Sequence, residues 1–129
     1  MDQKYKLSHI KVCMHTNFSY MNNERIQQLI RFVQEEPNDP FNIYALAMEY
    51  LVGEPRQARV YFDQLLSEYP DYLPTYYHAA VLYADLDERD RAAELYEQGI
   101  KLAQVQQNQK TLLELQRAQQ AFEDDEDEW

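Results

Sequence analysis

Glycine and cysteine are scarce in this sequence. Only Gly53 and Gly99 occur among 129 residues, and clusters of valine and isoleucine are few. Both deficits argue against a β-sandwich or barrel and for an all-helical chain. The single cysteine, Cys13, excludes an intramolecular disulfide and fits a reducing compartment. No stretch of 18 apolar residues occurs, so no transmembrane helix is expected. Lys4, Lys6 and Lys11 are not followed by a continuous apolar segment, since His9, His15 and Asn17 interrupt it, so no secretory signal is expected either. The expected setting is the cytoplasm. Basic residues are outnumbered, with 12 Lys and Arg against 23 Asp and Glu, a net charge of −11. Such a chain repels phosphate backbones and anionic lipid, so neither nucleic acid nor a membrane is an expected partner.

What is plentiful is tyrosine, with eleven, and helical periodicity. The charge is uneven along the chain. Residues 1–22 carry three lysines against Asp2, a net of +2, and residues 123–128 are all acidic, a net of −6. Residues 1–22 have no clear period, mix polar, basic and apolar types, and are expected to be a disordered N-terminal extension. Met21 stands just before the first helical pattern, where a shorter natural chain would start; an intact residue 1 in the native protein, by mass spectrometry, would exclude that start.

From residue 23 onward the pattern predicts six helices. Asn22 or Asn23 caps a first helix with Ile26, Leu29, Ile30 and Val33 on one face, ended by Glu35-Glu36-Pro37. Asp39-Pro40 reads as an N-cap followed by proline at the first helical position. That second helix runs to about Val52, before a Gly53-Glu54-Pro55 turn. A third carries Ala58, Phe62, Leu65 and Leu66 and stops near Pro70. A fourth opens at Pro74 and turns Tyr76, Ala79, Ala80 and Tyr83 inward. Asp85-Leu86-Asp87 is the next turn, where aspartate tolerates a left-handed backbone in place of glycine. A fifth helix carries Ala92, Tyr96, Gly99 and Ile100. Asn108 begins a sixth, with Leu112, Leu115, Ala118 and Phe122 as its stripe.

Two of these helix pairs repeat each other. The first copy runs from Asp39 to Pro70 and the second from Asp71 to about Gln104. Ala58 recurs as Ala92 and Phe62 as Tyr96, 34 positions on, while Leu46-Ala47 and Tyr50 recur as Ala79-Ala80 and Tyr83, 33 positions on. A period near 34 is the signature of stacked helix pairs. The small residues have a geometric reason. Ala47 and Ala80, then Ala58, Ala92 and Gly99, sit where helices are expected to cross closely. The aromatic residues Tyr50, Phe62, Tyr83 and Tyr96 are expected to fill the wedges between them.

At these positions the chain resembles the tetratricopeptide repeat family. The first copy matches as Ile43, Leu46-Ala47, Tyr50, Ala58, Phe62, Leu65 and Pro70, one residue short at its Gly53 turn. The second matches as Tyr76, Ala79-Ala80, Tyr83, Ala92, Tyr96 and Gly99. Its closing proline is replaced by Gln104, so that helix is expected to run on. The resemblance covers residues 23–122 and implies an all-α solenoid of antiparallel helix pairs in a right-handed superhelix: half a repeat, two repeats and a C-terminal capping helix, followed by an acidic tail over 123–129. It also implies a non-catalytic protein–protein interaction module, whose first helices line a concave groove for a peptide or helix. The corresponding groove positions are Phe41, Tyr44, Ala45, Met48 and Val52 in the first copy, and Tyr77, His78, Val81 and Asp85 in the second. Family members that hold a C-terminal carboxylate place Lys, Arg and Asn there. Tyr44, Met48 and His78 stand in such places, so no donor fork is expected. An apolar groove suits an amphipathic helix or a Tyr/Leu-rich segment instead. The alternative is self-covering, by the chain's own termini or by a second copy in a homodimer.

Catalytic and metal chemistry is not expected. His9, Cys13 and His15 lack the fourth ligand that a zinc site needs. His78 has no nucleophile or acid beside it; Asp85 lies two turns away, about 10 Å along a helix. No phosphate-cradling loop, paired catalytic carboxylates or nucleophile elbow occurs, so no cofactor is expected and the chain reads as no enzyme. The acidic run Glu123–Glu128 reads as a solvated tail, with a lure for a basic partner as the sharper option. Trp129 closes the sequence, either exposed or docked into a neighbouring copy's groove.

Overall fold

The computed structural model describes residues 23–127. Among them are six helices and no strand: α1 (23–35), α2 (Pro40–Gly53), α3 (Pro55–Glu68), α4 (Pro74–Asp85), α5 (Arg89–Val105) and α6 (Gln109–Asp127). They group into two compact units that divide between Pro70 and Asp71, the boundary between the two sequence copies. The expected disorder of residues 1–22 lies outside the described residues, as does Trp129.

In the first unit α2 packs against α3. Asp39 caps α2 by accepting a hydrogen bond from the Phe41 amide at 3.0 Å, and Pro40 takes the first helical turn, where its missing N–H costs nothing. The expected three-residue turn at Gly53 is tighter than its composition suggests. Gly53 still belongs to α2, no glycine has positive φ, and Glu54 alone joins the two helices. Pro55 explains the economy, because its fixed φ starts α3 at once. Ile43, Leu46 and Ala47 on α2, and Ala58, Phe62 and Leu65 on α3, are buried. The two alanines expose nothing, as expected where a side chain would hold two helices apart. α1 lies over this pair. Its Ile26 and Leu29 share a cluster with Leu46, and Ile30, Val33, Ala45, Tyr50 and Tyr61 pack around it. Tyr50 is only half-buried and stacks its ring on Tyr61 at 5.7 Å, nearly parallel. It therefore sits at the edge of its wedge, whereas Phe62 fills its own. An Arg25–Glu49 ion pair at 3.7 Å and a hydrogen bond from the Tyr69 hydroxyl to the Pro37 carbonyl at 3.3 Å tie the outer ends together.

In the second unit α4 packs on α5 and α5 on α6. Tyr76, Ala79, Ala80, Leu82 and Tyr83 of α4 face Ala92, Leu95, Tyr96, Gly99 and Ala103 of α5 in one buried layer. The turns that close α4 and α5 share one geometry. Asp87 stands at φ 66° and Gln107 at φ 57°. After α4 the Glu88 amide reaches back to the Tyr83 carbonyl at 2.9 Å, and after α5 the Asn108 amide reaches the Ala103 carbonyl at 2.9 Å. Both are Schellman closures with a non-glycine residue at the left-handed position. The second closure also decides the fate of the missing proline. α5 does extend past its counterpart α3, by three residues, and then Gln107 stops it. Asn108 caps α6 by accepting from the Thr111 amide at 3.0 Å. Glutamine gains little from a left-handed backbone, so Gln107→Gly is expected to raise stability by about 0.5–1 kcal/mol, read as a higher urea midpoint at unchanged slope.

α6 buries Leu115 completely and half-buries Leu112, Ala118 and Phe122, leaving an outer face that is mostly polar, with Leu113 exposed on it. The acidic stretch expected as a separate tail begins inside this helix, which runs through Asp127. Acidic residues at a helix C-terminus oppose its dipole. Arg89 supplies the opposing charge. Its guanidinium lies 4.1 Å from the centre of the Phe122 ring, donates to the Phe122 carbonyl at 2.9 Å and pairs with Asp125 at 3.7 Å.

Candidate functional site

The groove positions fall on the first helix of each unit's main pair, and the two units present them differently. On α2, Phe41, Tyr44, Met48 and Val52 recur at spacings of three, four and four, which puts them on one helical face. Phe41 is 57% exposed and Val52 46%, with Tyr44 and Met48 half-buried between them. Ala45 lies against the α1 cluster around Leu46, at the margin of this face. α2 contains no lysine or arginine and a single acidic residue, Glu49, already paired with Arg25. The surface is an uncharged apolar stripe with a carboxylate at its side.

On α4, Tyr77 is 37% exposed and packs edge-on against the His78 ring, with centroids 5.1 Å apart. Val81 and Asp85 are half-buried on the following turns. Burial pushes the Tyr96 hydroxyl up to about 12, the Tyr77 hydroxyl and then the Asp85 carboxylate add to this, and Arg89 opposes it. Burial also pushes the His78 imidazole below its ordinary value, and Glu114 of α6 pulls it partly back. His78 is therefore neutral at pH 7 and offers one N–H and one acceptor rather than a cation.

That depression has a stability consequence. With the folded value below the unfolded one, neutral His78 favours the fold above about pH 6.5, and this contribution is lost as pH falls through the folded value. Between pH 7 and 5, His78→Gln is expected to flatten the fall of the thermal midpoint; the same slope in both proteins would show that His78 does not carry it.

Among the described residues, no three His, Cys, Asp or Glu side chains converge where they could hold a metal ion. No helix among them is long and apolar enough to cross a membrane. His9, Cys13 and His15 lie outside the described residues. Two residues that shape the units are not apparent from the sequence pattern. Tyr61 completes the stack with Tyr50, and Arg89 anchors Phe122 from 33 positions away. Arg89 leaves no local signal, because its partners are a ring and a carbonyl on another helix.

Antiparallel helix pairs, small residues at the crossings and a period near 34 define a helical-repeat protein. The tetratricopeptide repeat family model matches residues 50–116, just over half of the chain. A tetratricopeptide repeat domain protein from Salinibacter ruber, solved in solution, is 44% identical, covering 68% of this chain and 90% of its own, with a TM-score of 0.64. A crystal structure of a tetratricopeptide repeat domain protein from the same organism is also 44% identical over 66% of this chain and 97% of its own, with a TM-score of 0.63. The crystal structure of MamA covers 98% of this chain and 81% of its own at 17% identity and a TM-score of 0.58, a likeness of fold alone. No curated protein matches the chain. The chain belongs to the tetratricopeptide repeat family, whose members are generally protein–protein interaction modules.

Proposed function

We propose that this chain is a non-catalytic cytoplasmic module that binds an apolar peptide or helix segment of another protein through the first helices of its repeats. The observation that carries this reading is the α2 stripe, where Phe41 and Val52 stand 57% and 46% exposed on a helix without a single cation. Isolated apolar residues on a surface are ordinary, but an aligned stripe on one face marks a contact surface. Tyr44 and Met48 supply area between the two exposed ends, and Ala45 keeps the margin low. In the second unit, Tyr77 and Val81 of α4 offer apolar area of their own, with neutral His78 and Asp85 beside them to select polar groups. Burial of a helical or extended segment against such a face is driven by apolar area and by a few aromatic anchors.

The double variant Tyr44→Ala/Tyr77→Ala is expected to lose the proteins retained by the immobilised full chain from native extract, with the thermal midpoint little changed. Both side chains are partly exposed, so their truncation removes contact surface more than core. Retention of the same proteins by the double variant would rule the groove out. Sedimentation at several concentrations addresses self-association: a tight dimer that hides Phe41 and Tyr77 would replace the foreign partner with a second copy.

A further inference from the structure

The α2 stripe also fits a segment of this same chain. We propose that residues 1–22 dock on the α2 face and compete there with the partner; this rests on the reading of that face as a docking surface. Charge is the first argument. The segment carries a net of +2, whereas residues 23–129 carry −13. Within the first unit, 23–70 holds four arginines against eight acidic residues, a net of −4. Arg25 and Arg59 are engaged with Glu49 and Asp63 at 3.7 and 3.8 Å. A cationic segment is thus attracted to a unit of net negative charge, whose α2 stripe carries no cation of its own.

Chemistry of the segment is the second argument. Ile10, Val12 and Met14 alternate with Lys11, Cys13 and His15. In an extended backbone that alternation turns three apolar side chains to one side and the polar ones to the other. That apolar set is of the same chemistry as the face made of Phe41, Tyr44, Met48 and Val52. Reach is the third. An extended chain of 22 residues spans up to about 70 Å, and α2 is only about 21 Å long. Tethering also raises the local concentration of the segment to about the millimolar range, so even a weak contact is populated. A foreign ligand must then displace it, and a chain begun at Met21 would lack this competitor.

Cys13 is the only cysteine and gives a direct test on the full chain. A nitroxide attached there is expected to erase the amide signals of residues 41–52 in the NMR spectrum, with recovery on reduction of the label. Lys4→Glu/Lys6→Glu/Lys11→Glu in the labelled chain is expected to restore those signals, as is high salt. Signals of 41–52 that survive the oxidised label overturn the proposal. Erasure that also appears when an isotope-free labelled chain is mixed with an isotope-enriched unlabelled chain overturns it as well, since a second copy is then the occupant. The outcome is separable from that of the groove. No erasure with binding lost in Tyr44→Ala/Tyr77→Ala removes the internal occupant and leaves the groove. Intramolecular erasure with binding intact in that variant supports the occupant and removes the groove as the partner's site.

Discussion

Gly99→Ala is expected to destabilise the second unit by about 1–2 kcal/mol, although alanine is the better helix former by about 1 kcal/mol. The reason is the approach of α5 to its neighbours. A Cβ placed on Gly99 would lie 2.7 Å from the Tyr76 Cβ, 3.3 Å from the Tyr76 Cγ and 3.2 Å from Leu115 Cδ1. Carbon atoms in contact prefer about 3.5–4.0 Å. The nearest atom is a Cβ, fixed to the α4 backbone, so no rotation of Tyr76 relieves the clash. Either α4 and α5 separate or the helix shifts along its axis, and both disturb side chains that are already buried. Overpacking of this kind costs about 1–3 kcal/mol. Leu115 is the fully buried anchor of α6, so the strain passes to the capping helix too. Gln98, exposed on the same helix, is the control: Gln98→Ala reports propensity without packing and should leave the urea midpoint nearly unchanged. A Gly99→Ala protein more stable than the original would mean that the helices are not in contact there.

The same residue shows how much of the fold is legible in the sequence. Gly99, Ala47, Ala58, Ala80 and Ala92 announce close crossings, because two helix backbones approach closely only where the side chain between them is small, and the fixed period places that demand at matching positions. Asp39-Pro40 and Asp87 declare their conformations through local chemistry, a side-chain cap and a tolerated positive φ. What stays hidden depends on tertiary partners. The Gly53 turn looks like a loop, yet Pro55 starts the next helix so early that Glu54 alone suffices. The acidic run looks like a tail, yet the backbone remains helical through Asp127, where Arg89 sits against Phe122 and Asp125. Tyr50 occupies a motif position but shares its ring face with Tyr61, a residue outside the motif. For the candidate site, the period names the positions on α2 and α4. It does not convey their exposure, which ranges from the half-buried Tyr44 and Met48 to Phe41, because exposure depends on what the other helices leave uncovered.

Phe62→Ala is expected to have the largest effect, a loss of about 3–5 kcal/mol. Phe62 is completely buried and, among the described residues, is the bulkiest side chain in that state. It stands one turn from Ala58 and nearly one from Leu65, both also fully buried, on the helix that packs against α2. Truncation removes the transfer energy of the ring and leaves a void that flanking alanines cannot fill. The other large side chains buried in the first unit, Ile26, Leu29, Ile43, Leu46 and Leu65, are all aliphatic and cannot replace the ring, and a domain typically has only about 5–15 kcal/mol in reserve. Most of the margin of α1–α3 would be gone, so amide hydrogen exchange across 23–70 should accelerate sharply. Phe62→Leu keeps much of the volume and should cost only about 1–1.5 kcal/mol. The pair of variants separates fold from function at the α2 stripe. Phe62 lies inside and touches no ligand, so Phe62→Ala should weaken binding only as far as it unfolds the unit, and Phe62→Leu should bind as the original does. Tyr44→Ala/Tyr77→Ala should do the reverse, with binding lost and the fold kept. Equal binding loss in Phe62→Leu and in the tyrosine double variant would mean that binding reports stability, and the α2 stripe would then have no claim to recognition.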